Sequence, residues 1–149
     1  MSKLYLQVNT VISKSLLILI SSFGTLSVSA LPDDKNQEIV TDGDYSNISL
    51  VTGLTELIGS QEQPASITQG SRIISGNKIS FEIVDGELSN VTAVGSPAQF
   101  QQQPEIDSEI IYGKGLNITF DGPAQLVNID ESAELIHAGG TVSAPHIEY

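Results

Sequence analysis

The stretch Ala65–Phe81 (ASITQGSRIISGNKISF) returns without a gap as Ala133–Tyr149 (AELIHAGGTVSAPHIEY), at an offset of 68 residues (65 to 133). Three positions are identical, and the apolar positions keep the same phase. The coinciding apolar pairs are Ile67 with Leu135, Ile74 with Val142, and Phe81 with Tyr149. Self-similarity at a fixed offset is typical of a chain that stacks one supersecondary unit on another.

The same offset aligns a second pair of short segments, because it carries Ile48 and Leu50 onto Leu116 and Ile118. Both copies consist of strand-like sequence rich in Ile, Val and Leu, residues that suit a pleated, half-buried surface. The repeat therefore predicts an elongated structure of stacked β-strands, and we expect function to follow from that shape.

The segment Ile79–Ile83 alternates apolar and polar residues, so three apolar side chains share one face of a strand. Asp85-Gly86 follows it, which is a strong hairpin signal because a type I′ turn needs positive φ at both central residues. On the return strand we expect Leu88 to pair with Ile83, after which the apolar parity shifts to Val91. This shift predicts a β-bulge, which is a device that curves a sheet.

Turn signals recur along the rest of the chain, and no stretch after Ile39 has helical periodicity. Short strands at such a spacing predict an all-β roll or sandwich. The glutamine-rich patch Gln101–Pro104 is predicted to be a loop between the two repeats. The turn signals are Asp42-Gly43, Gly59-Ser60, Gly95-Ser96-Pro97, Gln103-Pro104, Asp121-Gly122-Pro123 and Gly139-Gly140.

Residues 1–30 have the organisation of a cleavable signal peptide, and we expect residues 31–149 to form the exported domain. Lys3 and Lys14 precede the apolar stretch Leu16–Leu26, and Val28-Ser29-Ala30 offers small residues for cleavage. The apolar stretch is shorter than the ~20 residues of a membrane-spanning helix. An uncleaved membrane anchor is the alternative.

The chain is acidic, with a formal net charge of −12 at pH 7. Without residues 1–30, four basic residues (Lys35, Arg72, Lys78 and Lys114) remain with all 18 acidic ones, which gives 4 − 18 = −14. Such a charge repels nucleic-acid phosphates, so we expect no nucleic-acid partner. The chain has no cysteine, so the exported domain must be stabilised by its core and its sheet and not by disulfides.

No residue pattern indicates catalysis or a resident cofactor. His137 and His146 lie at strand positions whose counterparts in the first repeat are Gln69 and Lys78, so they are interpreted as ordinary polar residues. No cysteines or clustered carboxylates accompany them to complete a metal site. Asp42–Ser46 begins like a calcium loop but lacks the glycine and the final glutamate that such a loop needs. We therefore expect no enzymatic activity, no cofactor and no metal.

The remaining candidate is the apolar interior, which would line one side of a curved sheet. The simpler interpretation is a closed hydrophobic core. The functional interpretation is a core that is partly open and forms a groove for a lipid chain. The candidate groove residues are Ile48, Leu50, Ile67, Ile79, Phe81, Ile83, Phe100, Leu116, Ile118, Phe120, Leu135, Ile147 and Tyr149.

Several motifs occur in an order that is characteristic of one family. Ala65–Ser71 (ASITQGS), followed by Ile74–Ile79 (ISGNKI), is similar to a Thr-Gln-Gly … Ile-x-Ala-Asp-Lys-Val signature, and Gly95–Phe100 (GSPAQF) to a Gly-x-Pro-Ala-x-Phe segment. Ile111–Gly115 (IYGKG) stands where that family enters its second repeat. Over Ile39–Tyr149 the chain thus resembles the LptA/OstA-like family of periplasmic lipopolysaccharide-transport proteins of Gram-negative bacteria.

The resemblance implies a twisted, V-shaped β-jellyroll that is open along one side and is built from two stacked repeats. It also implies that the apolar inside receives the acyl chains of lipid A, and that lipopolysaccharide is bound without being altered. The implied partners are lipopolysaccharide, the inner-membrane export complex and the outer-membrane insertion complex, with head-to-tail self-association through edge strands. The implied location is the periplasm.

Two features depart from the family pattern. Ala144-Pro145 replaces a small residue followed by Asp, and Pro145 cannot donate a hydrogen bond to a neighbouring strand. The sequence also stops sooner after the second repeat than is usual in the family.

Two alternative functions are considered. They are a membrane-anchored protein of the same pathway and fold, and a structural β-roll with a closed core.

Overall fold

In the computed structural model, which describes residues 34–149, the chain is almost entirely antiparallel β-sheet. A short 3-10 helix, Asp34–Asn36, precedes the first strand. Among the described residues, no helix is long and apolar enough to cross a membrane. The predicted signal peptide, residues 1–30, lies outside the described range. The strands are β1 (Ile39–Asp42), β2 (Tyr45–Ile48), β3 (Leu54–Ile58), β4 (Ala65–Gln69), β5 (Arg72–Gly76), β6 (Lys78–Val84), β7 (Glu87–Gln102), β8 (Ile111–Asp121), β9 (Leu126–His137) and β10 (Gly140–Glu148).

These strands form one sheet, in which β7 is the longest strand and joins all the parts. The order β1-β4-β5-β7-β6-β3-β2 runs on one side, whereas β8, β9 and β10 follow one another on the other edge of β7. The first part of β7 pairs with β6, and its last part, Gln99–Gln101, pairs with β5. One edge of β7 therefore carries two partners in succession, and the sheet divides at that point.

The sheet bends along one line, which crosses the long strands near their middle. We call this line the crease. Each of the four long strands has an irregularity in its pairing at this line, and bulges of this kind bend a strand. The irregular positions are Gly95–Pro97 in β7, Gly115–Leu116 in β8, Glu131–Ser132 in β9 and Pro145 in β10.

The crease divides the sheet into two facing halves, which we name after their edge strands. The β2 half contains β2, β3 and β6, and the β1 half contains β1, β4 and β5, while β7 to β10 contribute one end to each half. The open side of the V, opposite the crease, is called the mouth. The β2 half borders it with the turns 49–53, 85–86 and 122–125, and the β1 half with 70–71, 103–110 and 138–139. The predicted twisted, open β-jellyroll is confirmed.

Glycines line the crease because the backbones approach too closely there for a side chain. A Cβ on Gly76 would lie 2.7 Å from the carbonyl oxygen of Val94, and one on Gly115 would lie 2.7 Å from that of Asp130. Optimal non-bonded contacts between carbon atoms are roughly 3.5–4.0 Å, so either side chain would push the strands apart. The crease glycines are Gly43, Gly59, Gly76, Gly95 and Gly115.

The sequence repeat corresponds to two hairpins with the same register. At the offset of 68 residues, the pairs of the β4–β5 hairpin map one for one onto pairs of the β9–β10 hairpin. The outermost pair, Ala65 with Gly76, becomes Ala133 with Ala144. The prediction of two stacked repeats is confirmed by this equivalence.

The hairpin predicted at Asp85-Gly86 is present, since both residues have positive φ angles of 54° and 85°. Ile83 pairs with Leu88 as expected, and the register then shifts so that Ser89 is the extra residue of a bulge. Local turn chemistry and the parity shift therefore predicted both the turn and the curvature.

Two predicted loop positions are wrong. Gly95–Pro97 does not separate two strands, because β7 continues through it and only its partner changes. Gln101-Gln102 belongs to the end of β7, so the loop between the repeats begins at Gln103. In both places long-range pairing keeps a glycine- or glutamine-rich segment extended.

Candidate functional site

Three rows of side chains line the inner faces of the two halves. Residues that pair across neighbouring strands point to the same face, so the pairing registers define each row. Row 1 crosses the β1 half and consists of Thr41, Ile67, Ile74, Phe100, Gly113, Leu135 and Val142. Row 2 crosses the β2 half next to the crease and consists of Ser46, Leu57, Ile79, Ala93, Ile118, Ile129 and Ile147. Row 3 lies nearer the mouth and consists of Ile48, Thr55, Phe81, Val91, Phe120, Val127 and Tyr149.

Most of the groove residues proposed from the sequence lie on these rows. The structure places Ile67, Phe100 and Leu135 on row 1, Ile79, Ile118 and Ile147 on row 2, and Ile48, Phe81, Phe120 and Tyr149 on row 3.

Three of the proposed residues lie off the rows and are exposed. Leu50 is in the turn after β2, Ile83 is next to the Asp85-Gly86 turn, and Leu116 is at the crease. The offset of 68 residues aligns Leu50 with Ile118 and Ile48 with Leu116. Leu50 is exposed, whereas its counterpart Ile118 is buried. This part of the sequence alignment does not mark structurally equivalent positions.

The middle of each row is buried, and the rows reach solvent at their ends. On row 2, Ile79, Ile118 and Ile129 have no exposed area. By contrast, Ile48 is 62% exposed at the β2 edge and Val142 is 59% exposed at the β10 edge. The interior is therefore a packed core in its centre, with apolar side chains that extend to both edges of the sheet.

The two halves touch each other inside the V. Gly113 lies on row 1 and Ile129 on row 2, and a Cβ on Gly113 would lie only 2.5 Å from Ile129 Cδ1. The missing side chain at Gly113 is what lets Ile129 reach the opposite half. An alkyl chain could therefore pass between rows 1 and 2 at this point only if the halves moved apart.

Arg72 joins the two borders of the mouth, and it is not among the site residues predicted from the sequence. The guanidinium Cζ lies 4.1 Å from the centroid of the Phe120 ring, and Nη2 donates a 2.9 Å hydrogen bond to Gln125 Oε1. Arg72 belongs to the β1 half, whereas Phe120 and Gln125 belong to the β2 half. We call this contact the Arg72 latch. The sequence does contain one signal for Arg72. Arg72 and Ile74 are alternate residues of one strand and therefore share a face of the sheet.

Tyr149 forms the end of row 3 and contacts the opposite half. Its backbone exchanges hydrogen bonds with Val127 in both directions, and its ring centroid lies 6.2 Å from that of Phe100. Burial raises the pKa of the Tyr149 phenol above its ordinary value of 10.0, because a phenolate would lose hydration there. The phenol is therefore neutral at physiological pH, and the Tyr149 side chain adds no charge to this end of the row.

Asp34 covers the turn of the first hairpin. Its Oδ1 accepts a 2.8 Å hydrogen bond from the Ser71 backbone N–H, and its Oδ2 accepts bonds from Ser71 Oγ at 2.8 Å and Gln102 Nε2 at 3.0 Å. Hydrogen bonds to a carboxylate are among the stronger ones in proteins. The first hairpin is thus fastened at its tip, whereas the turn Ala138-Gly139 of the second hairpin is exposed.

An apolar cavity of about 300 Å³ opens beside the second hairpin. Leu135, Val142 and Tyr149 form its apolar wall, and His137, Gly140 and Thr141 complete the lining. It lies where rows 1 and 3 reach the β10 edge, so the apolar interior is accessible from this end.

The histidines occupy surface positions. His146 Nδ1 lies 2.6 Å from Asp130 Oδ1 across the β9–β10 pair, and His137 is the last residue of β9. Within residues 34–149, no group of three or more His, Cys, Asp or Glu residues is placed to hold a metal ion.

The profile of a known family, the LptA/(LptD N-terminal domain) LPS transport protein family, matches residues 63–149. The lipopolysaccharide export system protein LptH of Pseudomonas aeruginosa is 28% identical over 132 residues, which is 88% of this chain and 73% of LptH.

A comparison of folds also finds LptH. The crystal structure of LptH, the LptA-homologous periplasmic component of the conserved lipopolysaccharide transport device of Pseudomonas aeruginosa, matches with a TM-score of 0.72 and 27% identity. The match covers 79% of each chain.

The matched region contains both hairpins, the crease of the four long strands and most of the three rows. The family consists of transport proteins and not of enzymes, which confirms the prediction that this chain is not an enzyme. This chain belongs to the LptA/(LptD N-terminal domain) family of lipopolysaccharide-transport proteins.

Proposed function

We propose that this chain is a periplasmic carrier of lipopolysaccharide, which holds lipid A acyl chains against the three rows between the two halves of the V. The observation that carries the proposal is the continuity of the rows. Each row crosses the whole sheet, from the β1 or β2 edge to the β10 edge, without a charged residue. An uncharged and largely apolar lining thus runs along the full length of the roll.

The energetic need for such a surface is large. Burying one methylene is worth about 0.8 kcal/mol, so an acyl chain of about a dozen carbons costs ~10 kcal/mol when it is exposed to water. A lipid with several such chains does not cross an aqueous space unaided. A protein surface that covers the chains continuously removes this barrier without any chemical step.

Entry of a chain requires the halves to separate at the mouth, because the rows cover one another in their centre. The halves can separate only if the Arg72 latch and the contact between Gly113 and Ile129 are broken. Once the acyl chains are between the rows, they cover the same apolar side chains that the halves had covered for each other. The hydrophobic cost of opening is therefore largely offset by the lipid.

The negative charge of the protein favours a position of the lipid headgroup outside the roll. With a net charge of −14 for residues 31–149 (4 basic and 18 acidic residues), the protein repels the phosphates of lipid A at long range. The proposed binding mode therefore relies on acyl chains inside the V, with the phosphates in solvent and screened by divalent cations.

Strand edges are the proposed contacts with the rest of the pathway. Within residues 34–149, β1 and β2 end the sheet on one side and β10 ends it on the other, and the edge strands of a sheet accept further strands. We propose that these edges couple the chain to the inner-membrane export complex, to the outer-membrane insertion complex and to further copies of itself. Residues 1–30 would direct it to the periplasm and be removed there.

A second candidate function, a structural β-roll with a closed core, is favoured by the complete burial of the centre of row 2.

A reversible cross-link across the mouth tests which of the two functions is correct. The chain has no cysteine, so in an Arg72→Cys/Gln125→Cys variant only these two thiols can be joined by a short bismaleimide that contains a reducible disulfide.

Lipopolysaccharide should displace a fluorescent fatty acid from the unjoined variant, fail to do so from the joined protein, and do so again after reduction. The unjoined variant controls for the loss of the Arg72 latch. Displacement that is unchanged by joining would contradict entry between the halves. No saturable displacement from the unaltered chain would contradict the carrier function and leave the structural module.

A further inference from the structure

Arg72 is the one basic residue among residues 34–149 whose side chain lies on the inner side of the sheet. It shares the face of row 1 and is 3% exposed. Lys78 and Lys114 lie on the outer face, where each pairs with a glutamate, and Lys35 is exposed in the short helix before β1. The interior of the described part of the chain therefore holds a single permanent positive charge.

This charge lies at the mouth of the V. Arg72 directly follows the turn 70–71, which borders the mouth on the β1 half. Its guanidinium faces the Phe120 ring and donates to Gln125 on the opposite border. An acyl chain that reaches row 3 at Phe120 enters past this contact. The Arg72 latch is therefore at the level where the chains pass into the V and the headgroup stays behind.

Opening of the latch takes a partner away from both groups. Methylene groups of an acyl chain can cover the face of the Phe120 ring, because both are apolar. They cannot replace the Gln125 acceptor of the guanidinium, and a charge that faces alkyl chains without a polar partner is costly. A phosphate group on the same lipid would supply an acceptor at the moment when the acyl chains supply the apolar cover.

We infer that Arg72 is the specificity-determining residue for the lipid headgroup, and that its guanidinium leaves Phe120 and Gln125 to bind one phosphate group of the lipid at the mouth. The inference rests on the proposed function, in which acyl chains enter between the halves. The rest of the headgroup stays in solvent, so the proposed binding mode is refined at this one group.

The chemistry of the side chain fits this role. The planar guanidinium presents several N–H donors in a fixed geometry that matches two oxygens of a phosphate, and such charged pairs are short and strong. Repulsion by the net charge of −14 (4 basic and 18 acidic residues) acts at long range and falls off over a Debye length of about 8 Å at physiological ionic strength. A contact at hydrogen-bonding distance is therefore compatible with an acidic protein.

The side-chain signal of Arg72 tests the inference in the unaltered protein. Arg72 is the single arginine of the sequence, so its Nε–H group gives one assignable signal in a proton–nitrogen correlation NMR spectrum. In the free protein, the Phe120 ring beside the guanidinium shields this group. Lipid A should remove the shielding and shift the signal further downfield through a hydrogen bond to phosphate. The same lipid A without its phosphates should only remove the shielding, and identical signals with the two lipids would overturn the inference.

Inorganic phosphate distinguishes a phosphate held by the lipid from a free anion. At the same concentration it should leave the Arg72 signal unchanged, because the latch stays closed without acyl chains. The full downfield shift with inorganic phosphate alone would show a general anion site and would overturn the inference.

Binding preference gives a second measurement. Displacement of a fluorescent fatty acid is compared between the two lipids, with a chelator present so that divalent cations do not bridge phosphate to carboxylate. The unaltered chain should bind the phosphorylated lipid about tenfold more tightly, as expected for a hydrogen bond between charged groups. Arg72→Gln should remove this preference and Arg72→Lys should retain part of it. An unchanged preference in Arg72→Gln would overturn the inference.

Gln125→Ala is the matched control, because it removes one partner of the latch and keeps the cation. Its preference for the phosphorylated lipid should equal that of the unaltered chain. Equal losses of preference in Gln125→Ala and Arg72→Gln would show that closure of the mouth, and not contact with phosphate, sets the selectivity. That result would also overturn the inference.

The outcomes separate this inference from the proposed function. If neither lipid displaces the fatty acid from the unaltered chain, the carrier function is wrong and the inference fails with it. If both lipids displace it equally well, the carrier function stands and only the role of Arg72 is wrong. The NMR comparison uses the unaltered chain alone, so it decides the inference even where a variant does not fold.

Discussion

The guanidinium of Arg72 lies 4.1 Å from the centre of the Phe120 ring, although the two residues belong to opposite halves of the sheet. Phe120 is in the middle of row 3 and Arg72 is at the tip of the first hairpin, so this contact spans the mouth of the V. A cation over an aromatic face is worth about 0.5–2 kcal/mol, depending on desolvation. It therefore holds the halves together at the side where a lipid would have to enter.

Replacing Arg72 by lysine should weaken this closure. Arg72→Lys keeps the charge but loses the planar group that stacks on Phe120 and donates to Gln125. We expect a loss of about 1–3 kcal/mol in the free energy of unfolding, measured by urea denaturation.

The control is Lys114→Gln, which removes a half-exposed ion pair with Glu134. Surface pairs of this kind contribute about 0–1 kcal/mol. A smaller loss for Arg72→Lys than for Lys114→Gln would contradict the role of the latch.

Truncation of a row residue should cost far more than truncation of an apolar residue off the rows. Ile118→Ala should destabilise the protein by about 2–5 kcal/mol, because Ile118 has no exposed area and its neighbours on row 2 would be left around a cavity. Leu116→Ala, two residues away in the same strand, should cost less than about 1 kcal/mol because Leu116 is exposed. Similar losses in the two variants, measured by thermal or urea unfolding, would show that row 2 is not the core.

The crease should not tolerate side chains on its glycines. Gly76→Ala places a methyl group 2.7 Å from the Val94 carbonyl oxygen, and the resulting overpacking should cost about 1–3 kcal/mol. Gly140→Ala is the matched control in a strand, since its Cβ would have only the His137 carbonyl oxygen nearby, at 3.6 Å. We expect that control to be within about 1 kcal/mol of the unaltered protein. Unfolding midpoints measure the difference, and equal midpoints would refute close approach at the crease.

Tyr149 should make the stability depend on alkaline pH. Its phenol has a raised pKa because burial disfavours the phenolate. The stability that depends on the neutral phenol is fully present below the ordinary value of 10.0 and is lost as the pH rises through the raised pKa. Free energies of unfolding between neutral and alkaline pH should fall more steeply for the unaltered chain than for Tyr149→Phe. Parallel curves for the two proteins would contradict a partly buried phenol whose ionisation is disfavoured.

Features set by neighbouring residues could be predicted from the sequence. The Asp85-Gly86 turn and the bulge at Ser89 follow from turn chemistry and from a change of apolar parity. The register of the second hairpin follows from the first because the repeat preserves the spacing of apolar residues. Most of the groove residues proposed from the sequence lie on the three rows, since parity along a strand determines which face a side chain occupies, but about half of the residues on the rows were not proposed.

Features set by long-range pairing could not be predicted in this way. Gly95–Pro97 has the composition of a turn, yet β7 passes through it because β8 pairs with the strand on both sides. The exposure of Ile48 depends on its place at the sheet edge, which parity does not reveal. The Arg72 latch requires the crease, because only the folded sheet brings β5 close to Phe120 and Gln125.

The central claim, that acyl chains lie against the inner rows, is tested most directly by photo-crosslinking in cells that make lipopolysaccharide. A photoreactive phenylalanine analogue would replace either Phe81, which is buried on row 3, or Tyr112, which is exposed on the outer face of β8. The account predicts lipopolysaccharide adducts from position 81 and few or none from position 112. Adducts at position 112 alone, or none at either position while both proteins are folded, would contradict it.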